Sequence, residues 1–170
     1  MMMKQPRLSR TLLILSLVIV NIGCDQVSKS IVRERVAYHD YIEVIQDRLT
    51  LTKVENSGAF LGMGSDLHPG LRNTIMLILP ALALLTMLFL LIFKSGLTPT
   101  MIFGLCLMVG GGFGNVIDRI RYGSVTDFLH IDFGFFQTGI FNLADVSIMI
   151  GAILLFGYTL THKKEADPHA

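Results

Sequence analysis

Four aspartates stand at or near the ends of long apolar stretches: Asp25, Asp118, Asp127 and Asp145. Ionised side chains in such places are costly unless they are paired or face a wet cavity. Asp25 has Lys29 four residues further on, which is one helical turn away. Asp118 is followed closely by Arg119 and Arg121. We therefore expect Asp25 and Asp118 to form ion pairs that stabilise the structure.

Asp127 and Asp145 have no basic residue close to them in the chain. Arg121 is the nearest base to Asp127, and Asp145 has none nearer than Arg121 or Lys163. Two carboxylates held close together share one proton, so that one can deprotonate water while the other polarises a carbonyl. Such a pair could hydrolyse a peptide bond without a metal ion. The residues alone leave a second interpretation open, in which the same aspartates carry protons or ions in a small transporter.

Other catalytic or binding classes lack their residues. The chain has no HExxH and no GxSxG, and its five histidines form no i, i+4 pair. Cys24 and Cys106 are too far apart in the sequence for a CxxC site. The net charge of +1, with lysines and arginines scattered, argues against a nucleic-acid partner.

The composition indicates a membrane protein, since 52% of the residues are hydrophobic and only 16% are charged. About 20 apolar helical residues cross a bilayer. The apolar runs predict an all-α membrane protein with four transmembrane helices, at about residues 11–27, 72–93, 99–117 and 141–161, in a single domain of residues 1–170. Outer loops are expected at about residues 28–71 and 118–140.

The first of these helices also has the length and charge profile of a secretory signal. Gly23 and Cys24 after an apolar run are similar to the end of a lipobox, which would make Cys24 a lipidated N-terminus. Asn21 stands where such boxes usually have leucine, and three more hydrophobic segments follow. We expect the segment to be a retained helix.

Four helices place both termini on one side of the membrane. Lysine and arginine are denser in the tails and the turn at residues 94–99 than in the other two loops, which predicts cytoplasmic termini. Of the 13 acidic residues, all but Glu165 and Asp167 lie in the outer loops or at the outer ends of helices. This crowding indicates that function lies on the outer side.

The first outer loop carries a period-two pattern. Residues 48–53 alternate as a half-buried strand would, and residues 42–45 could pair with them, which predicts a small outer sheet. The glycine-rich segment from Asn56 to Gly64 is compatible with a mobile flap over lipid or with a plain hairpin. Gly110 and Gly114 satisfy GxxxG, which favours close helix packing.

Four ordered motifs resemble those of lipoprotein signal peptidase, also called signal peptidase II. They are Asp25-Gln26-Val27-Ser28-Lys29, Asn56-Ser57-Gly58-Ala59-Phe60, Gly114-Asn115-Val116-Ile117-Asp118-Arg119 with Gly123-Ser124-Val125-Thr126-Asp127-Phe128, and Phe141-Asn142-Leu143-Ala144-Asp145. The resemblance implies that Asp127 and Asp145 form the catalytic pair. It also implies a set of residues that bind substrate or brace the site: Asp25, Lys29, Asn56, Gly111, Asn115, Asp118, Arg119, Asn142 and Ala144.

The resemblance further implies a fold of four transmembrane helices with both termini cytoplasmic and an extracytoplasmic β-cradle. The implied enzyme is a monomeric aspartyl endopeptidase of the bacterial cytoplasmic (inner) membrane, without metal or organic cofactor, whose active site lies near the extracytoplasmic face. The expected substrate is a prolipoprotein carrying diacylglyceryl, in contact with membrane lipid. It would be cut on the amino side of the lipidated cysteine, which releases the signal peptide.

Overall fold

The structure, a computed structural model, describes residues 7–58 and 63–163. Nine elements follow one another in the described residues. They are α1 (Arg7–Arg35), β1 (Ile42–Ile45), β2 (Leu49–Asn56), α2 (Pro69–Asn73), a π-helical segment (Thr74–Ile78), α3 (Leu79–Phe93), α4 (Pro99–Tyr122), β3 (Val125–Ile131) and α5 (Leu143–Lys163). The flap predicted between Asn56 and Gly64 falls partly on residues 59–62, which lie outside the described residues.

Four helical stretches are long and apolar enough to cross a membrane: Leu8–Arg35, Pro69–Phe93, Pro99–Tyr122 and Leu143–Thr161. This confirms the prediction of four long apolar helices that could cross a membrane. The second stretch combines α2, the π-helical segment and α3. Pro80 lies directly after the π-helical segment, where the helical hydrogen-bond pattern changes. Pro99 begins α4, after Thr98 as N-cap.

The first and third helices are longer than the apolar runs predicted. We expected α1 to end near residue 27, but it continues to Arg35, and α4 continues to Tyr122 instead of ending near residue 117. The added part of α1, about two turns long, is mostly polar in sequence, yet it places Lys29 and Val32 in the protein interior. The loop after α1 therefore begins after residue 35, and the loop after α4 begins after residue 122.

The three strands form one antiparallel sheet in the order β1-β2-β3. The predicted pairing of β1 with β2 is confirmed, with Ile42 opposite Leu51. The third strand was not predicted, because its hydrophobic residues do not alternate with polar ones. Val54 of β2 lies opposite Asp127 of β3, so the sheet carries one of the two candidate catalytic residues.

The central helix α4 packs closely on its neighbours through glycines. A Cβ atom at Gly110 would lie 2.7 Å from the Cβ atom of Asn21 on α1, and one at Gly114 would clash with the Asp25 carboxylate. This confirms the close packing predicted from GxxxG. Beneath this contact lies an apolar cluster of α1, α3 and α4, formed by Ile14, Val18, Leu91, Cys106 and Val109.

Candidate active site

Asp145 lies in the first turn of α5, in a reciprocal hydrogen-bonded cap. The Asn142 side chain accepts a hydrogen bond from the Asp145 backbone N–H at 3.1 Å, and Oδ2 of Asp145 accepts one from the Asn142 backbone N–H at 3.2 Å. This is a capping box, in which the N-cap residue and the residue three positions later satisfy each other's N–H groups. The start of the helix therefore holds the Asp145 carboxylate in a defined place.

Asp127 lies on β3 and is almost completely buried, with 4% of its surface exposed. Oδ1 accepts a hydrogen bond from Asn142 Nδ2 at 2.6 Å, and Oδ2 accepts one from Asn56 Nδ2 at 3.0 Å. Asn142 thus donates to the Asp127 carboxylate from its side-chain amide and to the Asp145 carboxylate from its backbone N–H. Asp127 and Asp145, 18 positions apart in the sequence, are brought together by a single residue.

Burial raises the pKa of Asp127 to about 6, from an ordinary value of 3.8. The neighbouring Asp145 carboxylate adds to this rise, whereas the hydrogen bonds from Asn56 and Asn142 oppose it. Among the described residues, neither Asp127 nor Asp145 forms an ion pair, in agreement with the lack of nearby bases in the sequence. Asp127 therefore keeps its proton to a higher pH than an ordinary aspartate does.

The side-chain amides of Asn115 and Asn142 are oriented by neighbouring groups that can donate hydrogen bonds but cannot accept them. Lys29 Nζ donates to Asn115 Oδ1 at 2.8 Å, so the Asn115 amide nitrogen faces Asp145 and donates to Oδ1 at 2.9 Å. In the same way, the Asp145 backbone N–H donates to Asn142 Oδ1, so the Asn142 amide nitrogen faces Asp127 and donates to it. Lysine and backbone N–H groups therefore determine which atoms the two asparagines present to the carboxylates.

Behind the asparagines lies a group of four charged residues, of which Asp25, Lys29 and Asp118 are buried and Arg33 is partly exposed. Lys29 Nζ lies 2.8 Å from Asp25 Oδ2 and 3.2 Å from Asp118 Oδ2, and all three side chains are at most 1% exposed. The Asp25–Lys29 pair was predicted. The predicted partners of Asp118, Arg119 and Arg121, are wrong: its charged partners are Lys29 and Arg33, the latter at 2.9 Å.

The reason for this error is the position of Asp118 on α4. Its carboxylate turns toward α1, where Gln26 also donates to it at 2.9 Å, whereas Arg121 lies on the exposed side. Arg119 Nη2 donates to the carbonyl oxygen of Gly58 at 2.8 Å. Gly58 lies two residues after Asn56, the last residue of β2. Arg119 thus ties the segment after β2 to α4.

Close backbone contact places α5 against α4 and α1. The Ala144 backbone N–H donates to Asp25 Oδ1 at 3.1 Å, and a Cβ atom at Gly111 would clash with the Ala144 carbonyl oxygen. A glycine at this point lets the start of α5, and with it Asp145, approach α4. Each of the eleven residues singled out from the sequence contacts at least one other in this network.

Several polar residues of the site were not predicted. Arg33 Nε donates to the Thr126 hydroxyl at 2.8 Å, and its guanidinium stacks over Tyr122 at 4.0 Å. The Thr126 hydroxyl donates to Glu55 Oε1 at 2.7 Å, and the Thr126 N–H donates to Asp118 Oδ2 at 3.2 Å. Glu55 and Thr126 precede Asn56 and Asp127 directly. Thr126 thus connects Glu55 of β2 to Arg33 of α1 and Asp118 of α4.

A cavity of about 520 Å³ lies over the sheet next to Asp127. Its polar and apolar lining combines strand residues with the segment before α5, namely Tyr41, Thr52, Val54, Glu55, Asn56, Ser57, Ser65, Asp127, His130, Thr138, Gly139 and Ile140. Its volume is within the usual range of ligand pockets in proteins, and Asp127 lies in its wall.

Comparison with known proteins identifies related sequences over most of the chain. The model of a family described as signal peptidase (SPase) II matches residues 17–161. The lipoprotein signal peptidase of Halothermothrix orenii is 35% identical over 150 residues, which cover 88% of this chain and 97% of the relative. That of Lactococcus lactis subsp. cremoris is 34% identical over 155 residues, covering 91% and 98%.

Two solved bacterial membrane enzymes have the same architecture. One superimposes with a TM-score of 0.81 at 27% identity, over 92% of this chain and 93% of the other. The second has a TM-score of 0.74 at 29% identity, over 86% and 92%. With the family model matching most of the chain, and with the membrane helices and the polar site in place, the chain belongs to the signal peptidase II family of membrane peptidases.

Proposed function

We propose that this chain is an aspartyl endopeptidase that removes the signal peptide from diacylglyceryl-modified prolipoproteins, cutting on the amino side of the lipidated cysteine. The observation that carries the aspartyl mechanism is the junction at Asn142, which holds Asp127 and Asp145 together with no cation paired to either among the described residues. Membership of a peptidase family favours hydrolysis over the alternative of ion transport.

The two carboxylates are suited to different roles. Asp127 is buried, and the rise of its pKa to about 6 favours the protonated form. Asp145 is partly exposed, lies at a helix N-terminus and accepts N–H hydrogen bonds on both oxygens, which is the arrangement of an ionised carboxylate. We assign Asp145 as the base and Asp127 as the acid.

The reaction follows from these roles. Asp145 takes a proton from a water molecule, whose oxygen attacks the scissile carbonyl carbon, while Asp127 gives its proton to the carbonyl oxygen. Asp145 then returns its proton to the amide nitrogen of the cysteine as the C–N bond breaks, and Asp127 recovers a proton from the collapsing hydroxyl. The products are a free signal-peptide carboxylate and a free α-amino group on the lipidated cysteine.

The location of the site supports a lipid-attached substrate. Asp145 lies at the end of the membrane-capable stretch Leu143–Thr161, and Asp127 follows closely after the stretch Pro99–Tyr122. A peptide bond next to a diacylglyceryl group is held at the membrane boundary, because the acyl chains stay in the hydrocarbon. We propose that the active site lies at the extracytoplasmic face of the bacterial cytoplasmic (inner) membrane, as the distribution of lysine and arginine predicts, and that one chain is the working unit.

The test is cleavage by the purified protein of a matched pair of peptides, identical except that one carries diacylglyceryl on its cysteine. The proposal expects cleavage of the lipidated peptide alone, with mass spectrometry locating the cut before the cysteine. Equal cleavage of both peptides would contradict the lipid requirement. A cut at any other bond would contradict the assigned specificity.

A further inference from the structure

A tight hairpin follows β3 and exposes three phenylalanines. We call residues Asp132–Gln137 the aromatic tip. Phe135 is 93% exposed, and Phe133 and Phe136 are each about half exposed, at 47% and 54%. Single exposed apolar residues are common on protein surfaces, but three aromatic rings within six residues form a patch. Such a patch indicates contact with an apolar partner.

Hydrogen bonds hold the aromatic tip in one conformation. Both oxygens of Asp132 accept hydrogen bonds at 2.6 Å, one from the Gly134 N–H and the other from Gln137 Nε2. Gly134 has a positive φ of +87°, and the Phe133 N–H donates to the Phe136 carbonyl oxygen at 2.8 Å. The rings of Phe133 and Phe136 are stacked, with centroids 5.8 Å apart. The rings are thus presented by an ordered turn, which lowers the entropy lost on binding.

The apolar surface continues onto the neighbouring strand. The Asp132 N–H donates to the Arg48 carbonyl oxygen at 2.8 Å, which places the turn between β1 and β2 beside the aromatic tip. Val44 and Ile45, at the end of β1 next to that turn, are each more than half exposed. One end of the sheet therefore carries aromatic and branched apolar side chains together.

The position of the hairpin in the chain identifies the apolar partner. It leaves α4 after Tyr122 and returns to α5 at Leu143, so both of its roots lie at the ends of membrane-capable helices. The seven residues of β3 extend over roughly 20 Å, which keeps the aromatic tip within that distance of the membrane boundary. The bilayer that already surrounds the helices is an extended apolar phase within this reach, and aromatic residues suit its interface.

We propose that the aromatic tip, together with Val44 and Ile45, inserts into the boundary between headgroups and acyl chains of one leaflet. This is the leaflet on the side of Asp127 and Asp145, the pair that we call the dyad. The tip thereby holds the free end of the sheet on the membrane. Since β3 also carries Asp127, this contact would keep the cavity wall at a constant height above the bilayer. The insertion itself does not depend on the proposed peptidase mechanism.

The chain contains no tryptophan, so Phe135→Trp introduces a single fluorescent reporter. Phe135 is almost fully exposed, so the substitution leaves the packed protein unchanged. The variant is reconstituted into phosphatidylcholine vesicles, with or without bromine on the acyl chains near the carbonyl end. Phe156→Trp, on the exposed surface of α5, is the matched reporter for a side chain in the bilayer, and N-acetyltryptophanamide is the reference for water.

The proposal expects the Phe135→Trp emission to shift to shorter wavelength, to be quenched by the brominated lipid, and to resist acrylamide as the Phe156→Trp emission does. Emission and acrylamide quenching equal to those of N-acetyltryptophanamide would place the tip in water and overturn the proposal. Emission that is shielded from acrylamide yet insensitive to the brominated lipid would place a protein surface on the tip. That result would overturn it as well.

Discussion

At the residue scale, the two aspartates are distinguished by their surroundings. Asp127 is buried in the sheet and accepts hydrogen bonds from two side-chain amides. Asp145 lies in the first turn of α5 and accepts a hydrogen bond from the Asn142 backbone N–H. Burial disfavours the charged form of a carboxyl group, and a helix N-terminus favours it. The same chemical group can therefore serve as acid at one position and as base at the other.

The raised pKa of Asp127 makes activity depend on pH. We expect kcat/KM to fall as the pH rises through about 6, because Asp127 then loses the proton that it must donate. The same shift lowers the stability of the folded protein as the pH rises from 3.8 to about 6, since the folded chain binds this proton more tightly than the unfolded chain. A pH profile of cleavage at low substrate concentration measures the first effect.

Asn56→Ala should raise the pH at which kcat/KM falls, because the hydrogen bond from Asn56 lowers the pKa of Asp127. Asn73→Ala is the matched control, since Asn73 is an exposed asparagine at the end of α2. An unchanged or lower pH for this fall in Asn56→Ala would show that Asp127 is not the group that titrates.

The residue types of the site could be recognised from the sequence, but most of their partners could not. Asn56 and Asp127 are 71 positions apart, and Asn115 and Asp145 are 30 apart, so only the folded chain shows these pairs. The prediction for Asp118 was wrong because sequence neighbours on a helix point in different directions. Arg33 was missed because it lies in a polar segment interpreted as a loop.

At the element scale, the position of Asp145 depends on the contact between α4 and α5. We expect Gly111→Ala to reduce both activity and thermal stability, because the new Cβ atom would clash with the Ala144 backbone carbonyl at the start of α5. Gly112→Ala is the matched control on the same helix. The atoms nearest to its Cβ atom would belong to the side chain of Leu84, which can rotate away.

The measurements are the cleavage rate and the melting temperature of both variants in the same detergent. Gly111→Ala should lose more of each than Gly112→Ala. If the two variants behave alike, the close approach at Gly111 does not position Asp145.

The buried charges between α1 and α4 should matter mainly for stability. Asp118→Asn leaves Lys29 and Arg33 without the carboxylate that they share, and breaking a buried ion pair costs about 3–5 kcal/mol. We expect a lower melting temperature and a lower yield of folded protein in detergent. Arg121→Gln, which changes an exposed charge on the same helix, should have little effect. A fully stable but inactive Asp118→Asn variant would instead assign Asp118 to the chemistry.

The elements themselves were predictable to different degrees. Apolar length alone located four membrane-capable helices, and alternation located β1 and β2. The third strand, Val125–Ile131, escaped prediction because it is covered on both faces along its first half and so shows no alternation. The last turns of α1 escaped because Lys29 and Arg33 face the protein interior, where their charges are paired.

At the scale of the whole molecule, the candidate site lies where the sheet meets the ends of three helices. α1 and α4 supply the buried charges, α5 supplies Asp145, and β3 supplies Asp127. This arrangement places the polar residues at one end of an apolar bundle, so water can reach the dyad without crossing the hydrocarbon. A peptidase within a membrane requires both properties.

The orientation of the bundle remains a prediction. The predicted orientation puts Asp145 at the outer end of the last of the four helices. The C-terminus, at the other end of that helix, is then expected in the cytoplasm. A fluorescent protein fused to the C-terminus should therefore be bright in cells, whereas alkaline phosphatase at the same position should be inactive. Active phosphatase would reverse the predicted orientation and move the dyad to the cytoplasmic face.

The central claim is that Asp127 and Asp145 together hydrolyse the peptide bond. The most direct measurement is the rate at which Asp127→Asn and Asp145→Asn variants cleave a diacylglyceryl prolipoprotein peptide, with their melting temperatures measured in parallel. Each variant should stay folded and lose at least about a hundredfold in rate, because an amide neither accepts nor donates the required proton. Cleavage at the unaltered rate by either folded variant would contradict the account.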